Sequence, residues 1–212
     1  MPAKLHLVFG PCGAGKTTYA HRLARREGAV PFVLDDWGAR LFGPDVQGPI
    51  DFGWMLERLG RCQALIWTTA GAVLEAGTPV VLDLGLMRRA HRERIRTMGE
   101  QAGLSMQWHF VDAPQEVRRA RVAARNEAKG ETFVREVPSE MFDILEANYE
   151  APSPEELEGA VLSVTTLSAG HAPMAATWID HPSSFGFRAE EWIERVSCLF
   201  TEANRLSHIG LS

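Results

Sequence analysis

Five short apolar runs punctuate the chain: LHLVF (5–9), VPFVL (30–34), PVVLDL (79–84), MQWHFV (106–111) and AVLSVT (160–165). Most are continuously apolar instead of alternating, as expected of strands buried on both faces of a parallel sheet. Helix-length segments fall between them, over 16–27, 54–76, 89–102 and 114–128, with a further one over 138–149. In the longest, Met55, Leu59, Cys62, Ile66, Thr69 and Val73 recur at three- or four-residue steps and predict a core-facing stripe. Strands and helices alternating in this way predict βαβ units and a sheet covered by helices on both sides. The intervening 38–53, GARLFGPDVQGPIDFG, has no clear period and reads as a loop. After residue 166 the pattern changes. LSAGHAPMAATWIDHPSS is small, polar and broken by proline, and AEEWIERVSCLFTEANRL then predicts one amphipathic helix with Trp192, Val196 and Leu199 on a face. The expected organisation is an α/β domain over 1–165 and an extension over 166–212 whose helix packs back on it.

Composition narrows the class. At 212 residues the chain can bury one proper core with a small appendage. No apolar run approaches the ~20 residues needed to span a bilayer, and MPAKLHLVFG lacks the features of a signal peptide. A cytoplasmic protein is expected. Cys12, Cys62 and Cys198 are scattered without a C-x-x-C pair, which suggests neither a zinc site nor a disulfide framework. The net charge of −5 weighs against a broad nucleic-acid surface. It leaves room for one nucleic-acid end held in a local basic cleft.

The boundary between the first strand and the first helix carries the clearest chemistry. Gly10-Pro11-Cys12-Gly13-Ala14-Gly15-Lys16-Thr17 matches G-x-x-x-x-G-K-[ST], the P-loop, and Thr18 follows it. Glycines let the backbone curl so that successive N–H groups converge on phosphate oxygens. The following helix adds its positive N-terminal end. Lys16 is expected to reach the β- and γ-phosphates of ATP, and the Thr17 hydroxyl to ligate Mg²⁺. Asp35 and Asp36 lie about twenty residues on, where a dinucleotide-binding fold keeps its ribose-binding acid. That fingerprint is G-x-G-x-x-G, without a lysine–threonine pair, so the rival fails.

Three further features bear on whether a bound nucleotide is used. FVLDDW puts Asp35 and Asp36 at the carboxyl end of the second strand, where ligands of open sheets bind. A carboxylate there can orient an acceptor hydroxyl toward the γ-phosphate; the local alternative is an acidic pair that caps a helix. PVVLDLG ends another strand with Asp83, the arrangement of a Walker-B-like acid that holds Mg²⁺ through water. VRRARVAARNEAKG carries Arg118, Arg119, Arg121 and Arg125 on one predicted helix, with Arg121 and Arg125 sharing a face. Arginines near a transferring phosphate neutralise developing charge. Arg118 and Arg119 read as a solvated basic face. In the second basic cluster, Arg88 and Arg89 fall near the sheet's carboxyl edge and Arg92, Arg94 and Arg96 read as surface residues.

GPCGAGKTTYA, LDDWGARLFG, VVLDLGLMRRAHRERIR and FVDAPQEVRRARVAARN occur in an order and spacing that resembles the P-loop kinase-like proteins of the polynucleotide-kinase and zeta-toxin type, the predicted small-molecule kinases of AAA type among them. The likeness runs from about residue 4 to 165. It implies a P-loop NTPase three-layer sandwich, with a five-stranded, mostly parallel sheet and an arginine-bearing lid at about 125–150. It also implies that the hydroxyl-orienting acid is Asp35, that Arg40 helps bind the acceptor, and that the lid arginine clamping ATP is Arg125 with Arg121 beside it. Arg89 is a further substrate-site candidate by the same likeness. Polynucleotide members carry a more basic acceptor cleft than FGPDVQGPIDFGW, and the extension after 166 matches nothing in the family.

Phe42, Phe52 and Trp54 bracket the expected acceptor loop; such residues more often form the hydrophobic lining of a loop, and the alternative is that their rings stack on a base, a sugar face or a drug-like ring. Asp45 and Asp51 favour a neutral or cationic small molecule. The expected function is ATP- and Mg²⁺-dependent transfer of the γ-phosphate to a hydroxyl of a sugar, nucleoside or antibiotic-like acceptor. Lys16, Asp35 and Arg125 would be catalytic, and Trp54 would line the acceptor site. Two alternatives stay open: a kinase for 5′-hydroxyl ends of RNA or DNA, and a nucleotide-binding switch without phosphotransfer.

Overall fold

A computed structural model describes residues 2–46, 52–129 and 136–164. Five strands, β1 (Lys4–Phe9), β2 (Val30–Val33), β3 (Val80–Asp83), β4 (Ser105–Asp112) and β5 (Val161–Val164), form one sheet in the order β2-β3-β1-β4-β5. Every pairing is parallel, so the sheet is wholly parallel where the sequence predicts a mostly parallel one. Six helices of two turns or more alternate with the strands: α1 (Lys16–Glu27), α2 (Leu34–Phe42), α3 (Phe52–Glu75), α4 (Arg89–Gln101), α5 (Gln115–Ala128) and α6 (Ser139–Ala147). A last short turn, α7 (Pro154–Leu157), precedes β5 and carries a capping box between Ser153 and Glu156.

Strand alternation sorts the core into two layers. Leu5, Leu7 and Phe9 face Ile66, Ala70 and Leu74 of α3 and Ile95 of α4. Val8, Val81 and Val111 turn the other way onto Ala14 and onto Ala20, Leu23 and Ala24 of α1. The result is the expected three-layer sandwich. Fully burying each large aliphatic side chain contributes roughly 1.5–3 kcal/mol, so the β1 faces anchor the fold. β5 departs from the expectation of a buried strand. It leaves Val161, Leu162 and Val164 exposed, and among the described residues β4 alone pairs with it.

The segment 38–53 is also not the loop its composition suggests. Residues 34–42 form α2 and 43–45 a single 3-10 turn, while 47–51, Asp51 among them, lie outside the described residues. Gly38 inside α2 is a packing glycine: a methyl group there would come within 2.7 Å of Leu59 Cδ2 on α3. Asp35 and Asp36 occupy the first turn of α2, where their charge complements the helix dipole, and neither side chain caps it. The helix forms because of that turn and the close α2–α3 approach. The expected extension over 166–212 lies outside the described residues.

One buried polar chain crosses the sheet. His6 Nδ1 lies 2.9 Å from His109 Nε2, and His109 Nδ1 lies 2.9 Å from Tyr19 Oη. Burial, then His6, Arg26 and Lys4, lower the His109 pKa to about 4 against the raising effect of Glu27, and burial lowers His6 as well. Because the folded value lies below the unfolded 6.5, stability is complete above pH 6.5 and falls as the unfolded chain takes up the proton between 6.5 and about 4. Lowering the pH from 7.5 to 5 is expected to remove roughly 2 kcal/mol by this linkage. Urea unfolding at both pH values checks it: the loss should shrink in His109→Gln, and an equal loss in that variant would refute the assignment.

Candidate functional site

The parallel register brings the chemistry to one sheet edge. Val8 of β1 and Val33 of β2 both pair with Asp83 of β3. Two residues beyond Val8 is Gly10, where the glycine loop begins; two residues beyond Val33 is Asp35. β1 lies between β3 and β4, the topological switch point at which open α/β sheets bind ligands.

The loop is folded as its sequence demands. Gly10, Gly13 and Gly15 take φ of 146°, 76° and 98°, and Gly15 is the N-cap of α1. At Gly10 a methyl group would come within 2.0 Å of the Val111 carbonyl oxygen; at Gly13 it would meet the Arg118 carbonyl oxygen at 2.6 Å. The loop therefore sits directly on the end of β4 and on α5. No side chain caps α1 and no acid stands in its first turn, which leaves its positive end available to an anion. Lys16 Nζ donates to the Pro11 carbonyl at 2.9 Å, closing the loop on itself.

Thr17 Oγ1 donates to Asp83 Oδ2 at 2.9 Å. Asp83 is only 5% exposed. Burial pushes its carboxyl up; the Lys16 ammonium and hydrogen bonds from Thr17 and the Gly85 backbone oppose this, and the Asp35 charge reinforces it. Asp35 itself is exposed at the cleft. The same field reaches Cys12, whose thiol is raised by burial and by Asp35 and lowered by Lys16, Arg125 and Arg118. A thiol so raised stays protonated near neutrality, consistent with a small residue tolerated in the loop. Lys16, Thr17 and Asp35 thus bear on the buried Asp83, and Arg125 on Cys12 of the loop. The Nε of Arg125 is buried without a hydrogen-bond partner among the described residues.

Other expected site residues fall differently. Arg121 Nη1 donates to the Ala14 carbonyl at 3.2 Å, so it contacts the loop itself. Thr18 is exposed on α1. Arg40 ends α2 exposed, five residues or about 7.5 Å of helix rise beyond Asp35. Arg89 is 59% exposed and bound to Glu93 one turn on, with Nε–Oε1 of 2.6 Å. Trp54 has the Arg58 guanidinium 3.7 Å from its ring centroid and Phe42 edge-on at 6.3 Å. One face of the indole is thereby covered by the protein's own cation. The Phe52 side chain and residues 130–135 of the expected lid lie outside the described residues.

Two basic residues read as surface are buried. Arg92 is 1% exposed and holds Glu156 and two backbone carbonyls. Arg118 is 6% exposed, donates to the Ala113 carbonyl at 2.8 Å and the Cys12 carbonyl at 3.3 Å, and grips both Glu146 oxygens. With Val122 and Asn126 it lies on the buried face of α5. Arg119, by contrast, pairs with Asp143 in partial exposure, as a surface residue does.

A family model described as AAA domain matches residues 5–152. No curated protein matches the chain. Among solved structures, a candidate kinase from Chloroflexus aurantiacus superposes with a TM-score of 0.60 at 18% identity, over 79% of this chain and 90% of that one. Kti12 of Chaetomium thermophilum, solved with ADP-AlF3, gives 0.54 at 14% identity over 93% and 97%. A chain of the Pnkp1/Rnl/Hen1 RNA repair complex gives 0.50 at 21% identity over 69% of this chain and 43% of that one. At these identities the likeness is one of fold.

Proposed function

Since the chain belongs to the AAA domain family, within its P-loop kinase-like members, we propose that it transfers the γ-phosphate of ATP to a hydroxyl of a small-molecule acceptor. One observation carries this reading: the parallel register sets Asp35 and the start of the glycine loop each two residues beyond a partner of the same Asp83. A carboxylate beside the phosphate cradle is what transfer needs and mere binding does not.

The residues divide the work. Gly13 to Thr18 wrap the phosphates with backbone N–H groups, and Lys16 exchanges its bond to Pro11 for the β- and γ-oxygens. Arg125 supplies a second cation to the γ-group. Asp35 accepts the acceptor's O–H and aims its oxygen at the γ-phosphorus. As that P–O bond forms, the bond to the β-bridging oxygen breaks, ADP leaves, and the hydroxyl proton passes late to Asp35. The oxygen donors Thr17 and Asp83 suit Mg²⁺, a hard cation, and the buried Asp83 charge gains from one nearby. Thr17, with Asp83 through water, would hold the ion, which would supply positive charge to offset that of the phosphates. The acidic Asp45 and Asp51 in the sequence of the expected acceptor loop favour a sugar-, nucleoside- or antibiotic-like acceptor. Among the described residues no helix is long and apolar enough to cross a membrane.

The test is transfer from γ-labelled ATP across sugars, nucleosides, aminoglycosides and 5′-hydroxyl oligonucleotides. Asp35→Asn should lower transfer about 100-fold, the low end of general-base effects because the role is mainly positioning, and leave ATP affinity unchanged. Transfer confined to oligonucleotides, with steeply salt-dependent binding, would move the acceptor to a nucleic-acid end. ATP turnover that is equal in wild type and Asp35→Asn, with no acceptor labelled, sinks the kinase reading and favours a switch.

A further inference from the structure

The glycine loop has an outer side as well as an inner one, and α5 covers the outer side. We propose that Arg118 is a positioning residue that sets the direction of the loop's amides, a role that rests on the phosphate-binding reading above. In a trans peptide the carbonyl and the following N–H point in opposite directions. Arg118 Nη1 holds the Cys12 carbonyl at 3.3 Å from the α5 side. The Gly13 N–H of the same peptide unit is thereby turned away from α5. Arg121 does the same two residues further along, holding the Ala14 carbonyl at 3.2 Å and so directing the Gly15 N–H. Two guanidinium groups outside the loop thus fix two of the amides that must converge inside it.

Arg118 is itself immobilised. Its Nε donates to the Ala113 carbonyl at 2.8 Å, and Glu146 of α6 accepts from Nη1 and, at 2.8 Å, from Nη2. The Asp112 carboxylate stands 3.6 Å away, and the Phe142 ring lies beneath. The α5 backbone at Arg118 also presses on Gly13, where a methyl group would collide with its carbonyl oxygen. The loop is therefore clamped at one peptide by both the backbone and the side chain of a single residue. Glu146 extends the clamp to α6, whose C-terminal end is in turn bound to the β3–α4 segment through Arg88 Nη2–Asn148 Oδ1 at 2.8 Å and Glu150 N–Met87 O at 3.0 Å. Preorganised amides cost no reorganisation when the phosphate arrives, and that is what the clamp contributes.

Titration calorimetry with Mg·ATP and Mg·ADP, together with the Gly13 amide resonance, tests the role. Arg118→Lys keeps the charge but loses the fork that spans Cys12 and Glu146. It should weaken both nucleotides about 10- to 100-fold and diminish the shift of the Gly13 amide proton on nucleotide binding. Arg61→Ala, which removes an exposed partner of Glu57 on α3, should bind as wild type does. If Arg118→Lys does not fold, Glu146→Gln should by itself weaken nucleotide binding several-fold and shift the Gly13 resonance. Wild-type affinity and an unchanged Gly13 response in the folded variant, or in Glu146→Gln, overturn the role. A wild-type chain that takes up no magnesium nucleotide overturns the phosphate-binding reading itself.

Discussion

Lys16→Ala is expected to lower the rate of phosphoryl transfer by on the order of 10³- to 10⁵-fold, the range seen when a cation is withdrawn from a transferring phosphoryl group. The side chain stands at the start of α1 and its ammonium rests on the Pro11 carbonyl. That contact is exchangeable: a neutral carbonyl holds the group until phosphate oxygens, with their full charge, displace it. Lys16 also moderates the charge of buried Asp83, so its removal is expected to weaken nucleotide affinity as well as turnover. The fold should be nearly untouched, since the side chain is only half-buried and its single bond closes a surface loop. Single-turnover rates with saturating ATP, beside thermal melts, separate the two effects. Retention of more than a tenth of the wild-type rate would remove Lys16 from the chemistry.

The second large effect is on stability. Arg92→Leu is expected to cost about 3–5 kcal/mol, the usual consequence of deleting one partner from a buried ion pair. Arg92 Nε and Nη2 reach Glu156 at 2.7 and 3.1 Å, Nη1 reaches the Glu150 and Leu86 carbonyls at 3.0 and 3.4 Å, and the guanidinium lies 5.6 Å from the Phe9 ring centroid. The leucine variant leaves the Glu156 charge without its cation and two carbonyls without the Arg92 donor. A domain of this size is stable by only about 5–15 kcal/mol, so much of its margin would go. Replacing both partners, Arg92→Leu with Glu156→Leu, should cost less than Arg92→Leu alone, because no charge is stranded. Urea midpoints of the single and double variants decide this; a double variant that is weaker still would show that Glu156 stabilises mainly through its capping box with Ser153 and not through Arg92.

How much of this was legible depended on whether the signal was local. The glycine loop could be read because its φ values, its lysine and its threonine lie within eight consecutive residues. The strands could be read because burial in a parallel sheet makes a contiguous apolar run. Arg92 and Arg118 could not. Their partners lie 64 and 28 positions away, and an arginine that meets a buried glutamate carries the same letter as one that meets water. α2 was misread for a related reason. Gly38 and the following glycine and proline suggest a turn, but Gly38 admits the Leu59 side chain of α3, a contact only the tertiary structure supplies. Arg89 falls near the sheet's carboxyl edge by count, and its pairing with Glu93 one turn along is a contact the sequence spacing also allows.

The two loop glycines that touch backbone differ from Gly38 in their evolutionary freedom. At Gly38 the obstacle is a leucine side chain, which a smaller residue at position 59 would clear. At Gly10 the obstacle is a main-chain oxygen of the neighbouring strand, 2.0 Å from where a methyl group would stand. No codon change elsewhere trims a carbonyl. Drift at position 38 can be compensated from a distance, whereas a lineage that loses the glycine at position 10 has a single way back, reversion at the same site.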